Sequence, residues 1–133
     1  MANQPKKILI IEDDIAWAKS LAKVIENEGF AVFYAKNGRE GLKACFEEFP
    51  DLMILDLVMP GMHGFEVLKR LRSDQWGKKL PVIILSNFPD YPGIEELIKD
   101  INYDIFSKSK NDIADVIKKI KEKTNQISVQ AIP

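Results

Sequence analysis

The hydrophobic positions of this chain follow two spacings in alternation. Short continuous apolar runs occur at residues 8–11, 52–55 and 82–85, and runs of this kind are typical of strands buried on both faces. Between the runs, apolar residues recur three or four positions apart, which indicates amphipathic helices. The two patterns alternate five times, so the sequence predicts an α/β domain built from five strand–helix units.

The bounds of these elements follow from the residues that punctuate them. Asp14 and Asn37 can cap helices, with Glu40 three residues after Asn37, and Gly29 stops the first helix. The predicted strands are 8–12, 30–35, 52–55, 82–85 and 103–107. The predicted helices are about 15–28, 37–49, 65–73, 93–100 and 112–123.

The relative polarity of the strands predicts their order in the sheet. The first, third and fourth are continuously apolar and therefore central, whereas the second and fifth belong at the edges. Right-handed crossovers then favour a single doubly wound, five-stranded parallel sheet in the order 2-1-3-4-5, a flavodoxin-like three-layer sandwich. Its topological switch point lies between the first and third strands.

Three acidic residues lie at this switch point. Glu12 and Asp13 follow the first strand, and Asp56 follows the third. Because parallel strands end at the same edge of a sheet, these carboxylates are expected to lie together. Crowded carboxylates beside an apolar core are costly unless a cation holds them, which predicts a cation site.

Composition excludes several other classes. The formal net charge of −1 gives no general basic surface for direct nucleic-acid binding, and no apolar run is long enough for a membrane span or a signal peptide. Cys45 is the only cysteine, so no internal disulfide is expected. These features favour a cytoplasmic protein with an N-terminal extension over 1–5, one domain over 6–123 and a flexible tail over 124–133.

The polar residues at the strand ends, taken as an ordered set, resemble those of a response-regulator receiver domain over about residues 6–123. The set comprises Glu12-Asp13, Asp56, the Met-Pro-Gly-Met-x-Gly loop at 59–64, Ser86 and Lys108. The resemblance implies a signalling module rather than an enzyme. Asp56 would accept a phosphoryl group from a histidine kinase or a phosphotransfer protein in a Mg²⁺-dependent reaction, and the domain would signal through a conformational change.

The resemblance also implies a role for each site residue. Asp13, Asp56 and the backbone carbonyl of Val58 would bind Mg²⁺, with Glu12 acting largely through a metal-bound water. Lys108 and the Ser86 hydroxyl would contact the phosphoryl oxygens. Three carboxylates would then face the three positive charges of Mg²⁺ and Lys108, so the charges of the site would balance.

Three features depart from the pattern of the family. One is the sequence around the fourth helix, where Ile101-Asn102 replaces the common Gly-Ala pair and residues 89–93 contain two prolines. Ser109 follows the lysine where receivers usually have proline, and a cis bond to serine would cost about 3–4 kcal/mol, so this bond is either trans or supported by its surroundings. Ile105 occupies the usual aromatic switch position, and the adjacent Phe106 should point to the opposite face of the strand. These departures leave open an alternative, a pseudo-receiver interaction domain that does not respond to phosphorylation.

A third reading, an aspartyl-phosphate hydrolase, lacks a candidate acid or base, because the residue two positions after Asp56 is Val58. The resemblance also implies that the residues two positions after the phosphoacceptor and two positions after the hydroxyl residue flank the path of attacking water. Here these residues are Val58 and Phe88, which are both apolar, and this predicts a long-lived phosphoryl-aspartate. No DNA-binding or catalytic output domain follows residue 123 in this sequence, so a stand-alone receiver is expected, with a domain of a larger protein as the open alternative. It would act on a protein target, or self-associate, through the face formed by the elements at 93–100, 103–107 and 112–123.

The remaining conspicuous side chains are interpreted as structural. His63 is the only histidine and has no second imidazole or thiolate beside it in the sequence, which argues against a metal site. Trp17 and Trp76 are interpreted as packing and loop residues, and Cys45 as a small apolar filler in the second helix.

Overall fold

The computed structural model describes residues 4–87, 103–108 and 113–124. Five strands form one sheet in the order β2-β1-β3-β4-β5, and every neighbouring pair is parallel. The predicted fold class and strand order are therefore confirmed. The strands are β1 (Lys7–Ile11), β2 (Ala31–Ala35), β3 (Leu52–Leu55), β4 (Val82–Ser86) and β5 (Asp104–Ser107).

Four helices lie within the described ranges, together with a short 3₁₀ turn at Gly77–Lys79. They are α1 (Ile15–Glu26), α2 (Gly38–Glu48), α3 (Gly64–Arg72) and the C-terminal helix α4 (Ile113–Lys123). None of these helices is long and apolar enough to cross a membrane. The predicted helix at 93–100 and residues 125–133 of the predicted tail lie outside the described residues. Thr124, the first residue of that predicted tail, is buried, and its hydroxyl donates to the carbonyl of Ile120 at 2.8 Å.

The predicted bounds differ from the structure by no more than two residues. The difference that matters for the site is in β1, which ends at Ile11, so the prediction that the strand includes Glu12 is wrong. The backbone N–H of Glu12 still donates to the carbonyl of Ala35 at 3.0 Å. Glu12 is therefore held to the sheet edge although it lies beyond the strand.

Local hydrogen bonds account for the starts of α1 and α2. Asp14 Oδ1 accepts the backbone N–H of Trp17 at 3.1 Å, and Asn37 Oδ1 accepts that of Glu40 at 2.8 Å. Both bonds satisfy donors that a helix leaves free in its first turn. Gly29, which follows α1, has a φ of 97°, a conformation that favours glycine.

The core consists of two apolar layers, one on each face of the sheet. Alternate strand residues enter opposite layers, as Ile11 does toward α2 and α3 and Ile10 toward α1 and α4. Ile105 packs against the first layer and Phe106 against the second, as predicted from strand alternation. The central strands are thus covered on both faces, and their carboxyl ends are the polar edge of the sheet.

Cys45 lies in the layer between α2 and the sheet and is fully buried. Burial raises the pKa of its thiol to about 12. In the folded protein at pH 8, we therefore expect a thiol reagent such as DTNB to react roughly a thousandfold more slowly than it does with the urea-unfolded chain. Similar rates with and without urea would show that Cys45 is accessible.

Candidate functional site

Three carboxylates lie together where β1 and β3 end. Ile11 and Leu55 are paired in the sheet, so Glu12 and Asp56 leave adjacent strands side by side. One carboxylate oxygen from each of Glu12, Asp13 and Asp56 lies within 4.8 Å of the others. Within the part of the chain that the structure describes, this is the only group of three such side chains that could hold a metal ion.

The three carboxylates differ in their environment. Glu12 and Asp56 are only 1% and 5% exposed, whereas Asp13 is exposed. Glu12 Oε2 accepts the backbone N–H of Asp14 at 2.8 Å, and Asp56 Oδ1 accepts that of Val58 at 3.0 Å. Both buried carboxylates are therefore oriented by the backbone that immediately follows them, while Asp13 leaves one side of the site open to water.

Lys108 supplies a positive charge from the carboxyl end of β5, the outermost strand on this side of the sheet. It directly follows β5, and its side chain is only 11% exposed. The Nζ atom forms an ion pair with Glu12 Oε1 and lies 3.5 Å from Asp56 Oδ2. Lys108 therefore spans the end of β4, which separates β5 from β3, and reaches two of the three acids.

The electrostatics of the site leave a deficit of positive charge. Burial raises the pKa of Glu12 from 4.5 to about 7, although the hydrogen bond from Lys108 opposes this shift. Burial lowers the pKa of Lys108, but the hydrogen bonds and charges of Glu12 and Asp56 outweigh it and leave that pKa raised above 10.5. With all three acids ionised, three negative charges face a single ammonium, so the ionised site favours a further cation.

The other predicted site residues are placed less completely. Val58 lies in the loop after Asp56, and its side chain is 41% exposed. Ser86 ends β4 opposite Ser107 of β5, which puts its backbone at the same edge of the sheet. Phe88 and Ser109 lie outside the described residues, so the predictions about water access and about the Lys108–Ser109 bond remain predictions.

Trp17 belongs to the site in a way that sequence reasoning missed. Its ring lies in the first turn of α1, with the centroid 4.5 Å from Nζ of Lys108. The prediction treated Trp17 as a packing residue, and its ring does pack against the core layer that α1 covers. Its position in the sequence could have indicated this role. Trp17 lies in the first turn of the helix that follows Glu12 and Asp13, and that turn must lie at the same edge of the sheet as the two acids.

Two other residues interpreted as structural, Trp76 and His63, lie in other parts of the fold. Trp76 packs edge-on against Phe46 and Phe49, with ring centroids 6.1 Å and 5.0 Å away. His63 is the residue before α3, and its side chain is exposed. Among the described residues, His63 is therefore not part of the group that could hold a metal ion at the ends of β1 and β3.

Comparison with known proteins gives one family along most of the chain. The sequence model of one protein family, the response regulator receiver domain, matches residues 8–121 of this chain. Sporulation initiation phosphotransferase F of Bacillus subtilis is 36% identical over 91 residues, which cover 68% of this chain and 72% of that protein. Response regulator MprA of Mycolicibacterium vanbaalenii is 38% identical over 82 residues, which cover 62% of this chain and 35% of that protein.

The match differs in extent between relatives. The match covers about a third of the length of MprA and of two further regulators of similar size. Among solved structures, a response regulator receiver domain protein from Methanospirillum hungatei has a TM-score of 0.80 at 26% identity, covering 96% of this chain and 99% of that one. The chain therefore belongs to the response regulator receiver domain family.

Proposed function

We propose that this chain is a phosphoacceptor receiver in which Asp56 takes a phosphoryl group from a phosphohistidine of a histidine kinase or a phosphotransfer protein. The observation that carries the proposal is the surroundings of Asp56. A buried carboxylate, oriented by a backbone N–H, lies between two further carboxylates and an ammonium at the ligand-binding edge of the sheet. Carboxylate nucleophiles of phosphoryl transfer need this combination of fixed position and neutralised charge.

The donor atoms fit Mg²⁺. Magnesium binds to one or two carboxylates, retains waters and accepts phosphate oxygens, and here Asp13 is exposed while Asp56 is buried. Asp13 and Asp56 would hold the ion, with the backbone carbonyl of Val58 by family resemblance and Glu12 through a water. When bound, the ion would neutralise negative charge on the phosphoryl oxygens.

The chain's own residues account for the rest of the transfer. An oxygen of Asp56 attacks phosphorus and forms a new P–O bond, while the P–N bond to the donor imidazole breaks and its electron pair stays on that nitrogen. Lys108 already lies 3.5 Å from Asp56 and offers its ammonium to the transferred oxygens. The Ser86 hydroxyl would donate a further hydrogen bond to them.

The output of the domain is proposed to pass to another molecule. A conformational change would reach a protein target, or a second copy of the chain, through the face that contains β5 and α4. The phosphoryl group would persist on Asp56, because Val58 and Phe88 are apolar and cannot orient an attacking water. A receiver of this kind would act in a phosphorelay or on a separate effector.

The test is phosphorylation by a small donor. With acetyl phosphate and Mg²⁺, we expect one phosphoryl group per chain by intact mass spectrometry, and none in Asp56→Asn or in the presence of EDTA. Asp115→Asn is a matched control, because Asp115 is exposed on α4 and is not one of the three clustered carboxylates, and the substitution removes the same charge. An unlabelled wild-type protein, or full labelling of Asp56→Asn, would overturn the proposal.

A further inference from the structure

We propose that Trp17 is a positioning residue for Lys108, and that its indole ring holds the Lys108 ammonium where it can meet a phosphoryl group on Asp56. This inference rests on the proposed function, since it assigns a second residue to the same transfer. It goes beyond the polar residues at the strand ends, because it gives a role to an aromatic side chain of the first helix.

The geometry is that of a cation–π contact. The Lys108 Nζ atom lies 4.5 Å from the centroid of the Trp17 ring, well inside the range of about 6 Å over which such contacts are significant. Tryptophan is the best aromatic partner for a cation, and the contact strengthens when the cation is withdrawn from water. The Lys108 side chain is only 11% exposed, so that condition holds.

Lys108 needs such a partner because its two carboxylates do not hold it equally. Its ammonium forms the ion pair with Glu12, whereas Asp56 Oδ2 is 3.5 Å away. Lysine carries its charge on a flexible four-carbon stem and can turn toward whichever acid attracts it more. The indole ring limits that freedom because it attracts the ammonium without competing for the phosphoryl oxygens.

Trp17 is itself fixed relative to the site by a short series of contacts. Its backbone N–H donates to Asp14 Oδ1, and the backbone N–H of Asp14 donates to Glu12 Oε2. The residues that orient the Glu12 carboxylate therefore also set the start of α1 and the place of the Trp17 ring. A shift of the start of α1 would therefore move this ring relative to Lys108.

A double-mutant cycle separates positioning from packing. We expect Trp17→Leu to slow the initial rate of Asp56 labelling by about tenfold, and Trp17→Phe, which keeps an aromatic face, to slow it by less than about threefold. In a Lys108→Met background, Trp17→Leu should cause no further loss, because the group through which it acts is gone. Trp76→Phe is the control, since Trp76 packs against Phe46 and Phe49 instead.

A spectroscopic measurement tests the contact without phosphorylation. The chain has two tryptophans, so Trp76→Phe leaves Trp17 as the only one. In that background, we expect Lys108→Met to change the emission of Trp17 in EDTA, with an unchanged far-UV circular dichroism spectrum. An unchanged emission would show that the ammonium does not face the ring in solution.

The results also distinguish this inference from the proposed function. If the wild-type protein is labelled on Asp56 but the effects of Trp17→Leu and Lys108→Met multiply, or if the phenylalanine and leucine variants are equally slow, only the role of Trp17 is overturned. If the wild-type protein is not labelled at all, the proposed function fails and the positioning role fails with it.

Discussion

Replacing Gly64 with alanine is expected to destabilise this domain by about 3 kcal/mol, the upper part of the range for overpacked sites. Gly64 begins α3, directly after the loop that follows Asp56. A Cβ atom at this position would lie 2.4 Å from the backbone oxygen of Asp56 and 2.6 Å from Cα of Leu57. Both are backbone atoms, so the clash cannot be relieved by turning a side chain.

The expected damage is local to the phosphoacceptor. The backbone N–H of Gly64 donates to the carbonyl of Leu57 at 3.1 Å, which ties the start of α3 to the residue after Asp56. Moving α3 away to make room for a methyl group would stretch this bond or displace Asp56. We therefore expect labelling by acetyl phosphate to fall in the fraction of Gly64→Ala that remains folded.

Two other glycines provide controls. Gly61 and Gly29 have φ values of 76° and 97°, and a Cβ at either would meet nothing within 4 Å. Alanine there should cost only the strain of a left-handed conformation, about 1 kcal/mol. Urea unfolding followed by circular dichroism compares the three variants. If Gly64→Ala proves as stable as Gly61→Ala, the close approach of α3 to Asp56 is wrong.

The second large effect concerns the buried carboxylate of Glu12. Glu12→Gln is expected to be more stable than the wild-type protein above pH 7 when no divalent metal is present. Burial raises the pKa of Glu12 in the folded protein to about 7, compared with an ordinary value of 4.5. Ionised Glu12 is therefore an unfavourable group in the folded state, and the amide of glutamine does not ionise.

The direction of this pH dependence follows from the number of protons bound to Glu12 in the folded and the unfolded states. Between pH 4.5 and 7 the folded protein holds a proton on Glu12 that the unfolded chain has lost, so this group stabilises the fold at low pH and its contribution disappears as the pH rises through 7. The difference between the two pKa values corresponds to a change on the order of 3 kcal/mol. The advantage of Glu12→Gln should thus be small at pH 4.5 and fully developed above pH 7.

Urea unfolding in EDTA between pH 4.5 and 8 measures this advantage. Glu47→Gln is the matched control, because Glu47 is exposed on α2 and the substitution removes the same charge. A difference between Glu12→Gln and the wild-type protein that does not vary with pH would contradict the prediction. Added Mg²⁺ should reduce the difference, because a cation at this site favours the ionised form of Glu12.

Gly64 and Glu12 affect the stability of the fold at this site in opposite directions. Gly64 allows α3 to pack directly on the backbone of Asp56, which stabilises the fold and fixes the acceptor. Glu12 places a carboxylate where burial disfavours its charge, which lowers stability in the absence of a cation. A site built to bind a cation and a phosphoryl group is expected to carry such a cost.

Much of the fold could be read from the sequence because its signals are local. The caps at Asp14 and Asn37 and the apolar runs of the central strands each act within a few residues, and the bounds of the described α-helices and strands were predicted to within two residues. The burial of those runs placed β1, β3 and β4 at the centre of the sheet. Since parallel strands end at one edge, the meeting of Glu12, Asp13 and Asp56 was also predictable.

Only the tertiary structure decided how the charged groups of the site are paired. Which acid Lys108 approaches depends on side-chain direction across three strands, and the sequence holds no periodic signal for that. The contact between Lys108 and Trp17 joins residues far apart in the chain, and the space beside Gly64 depends on how α3 packs on β3. The sequence by itself determined which residues reach the sheet edge, because secondary structure is set locally. The distances between these residues, their burial and their pKa values arise only when the packed core excludes water around them.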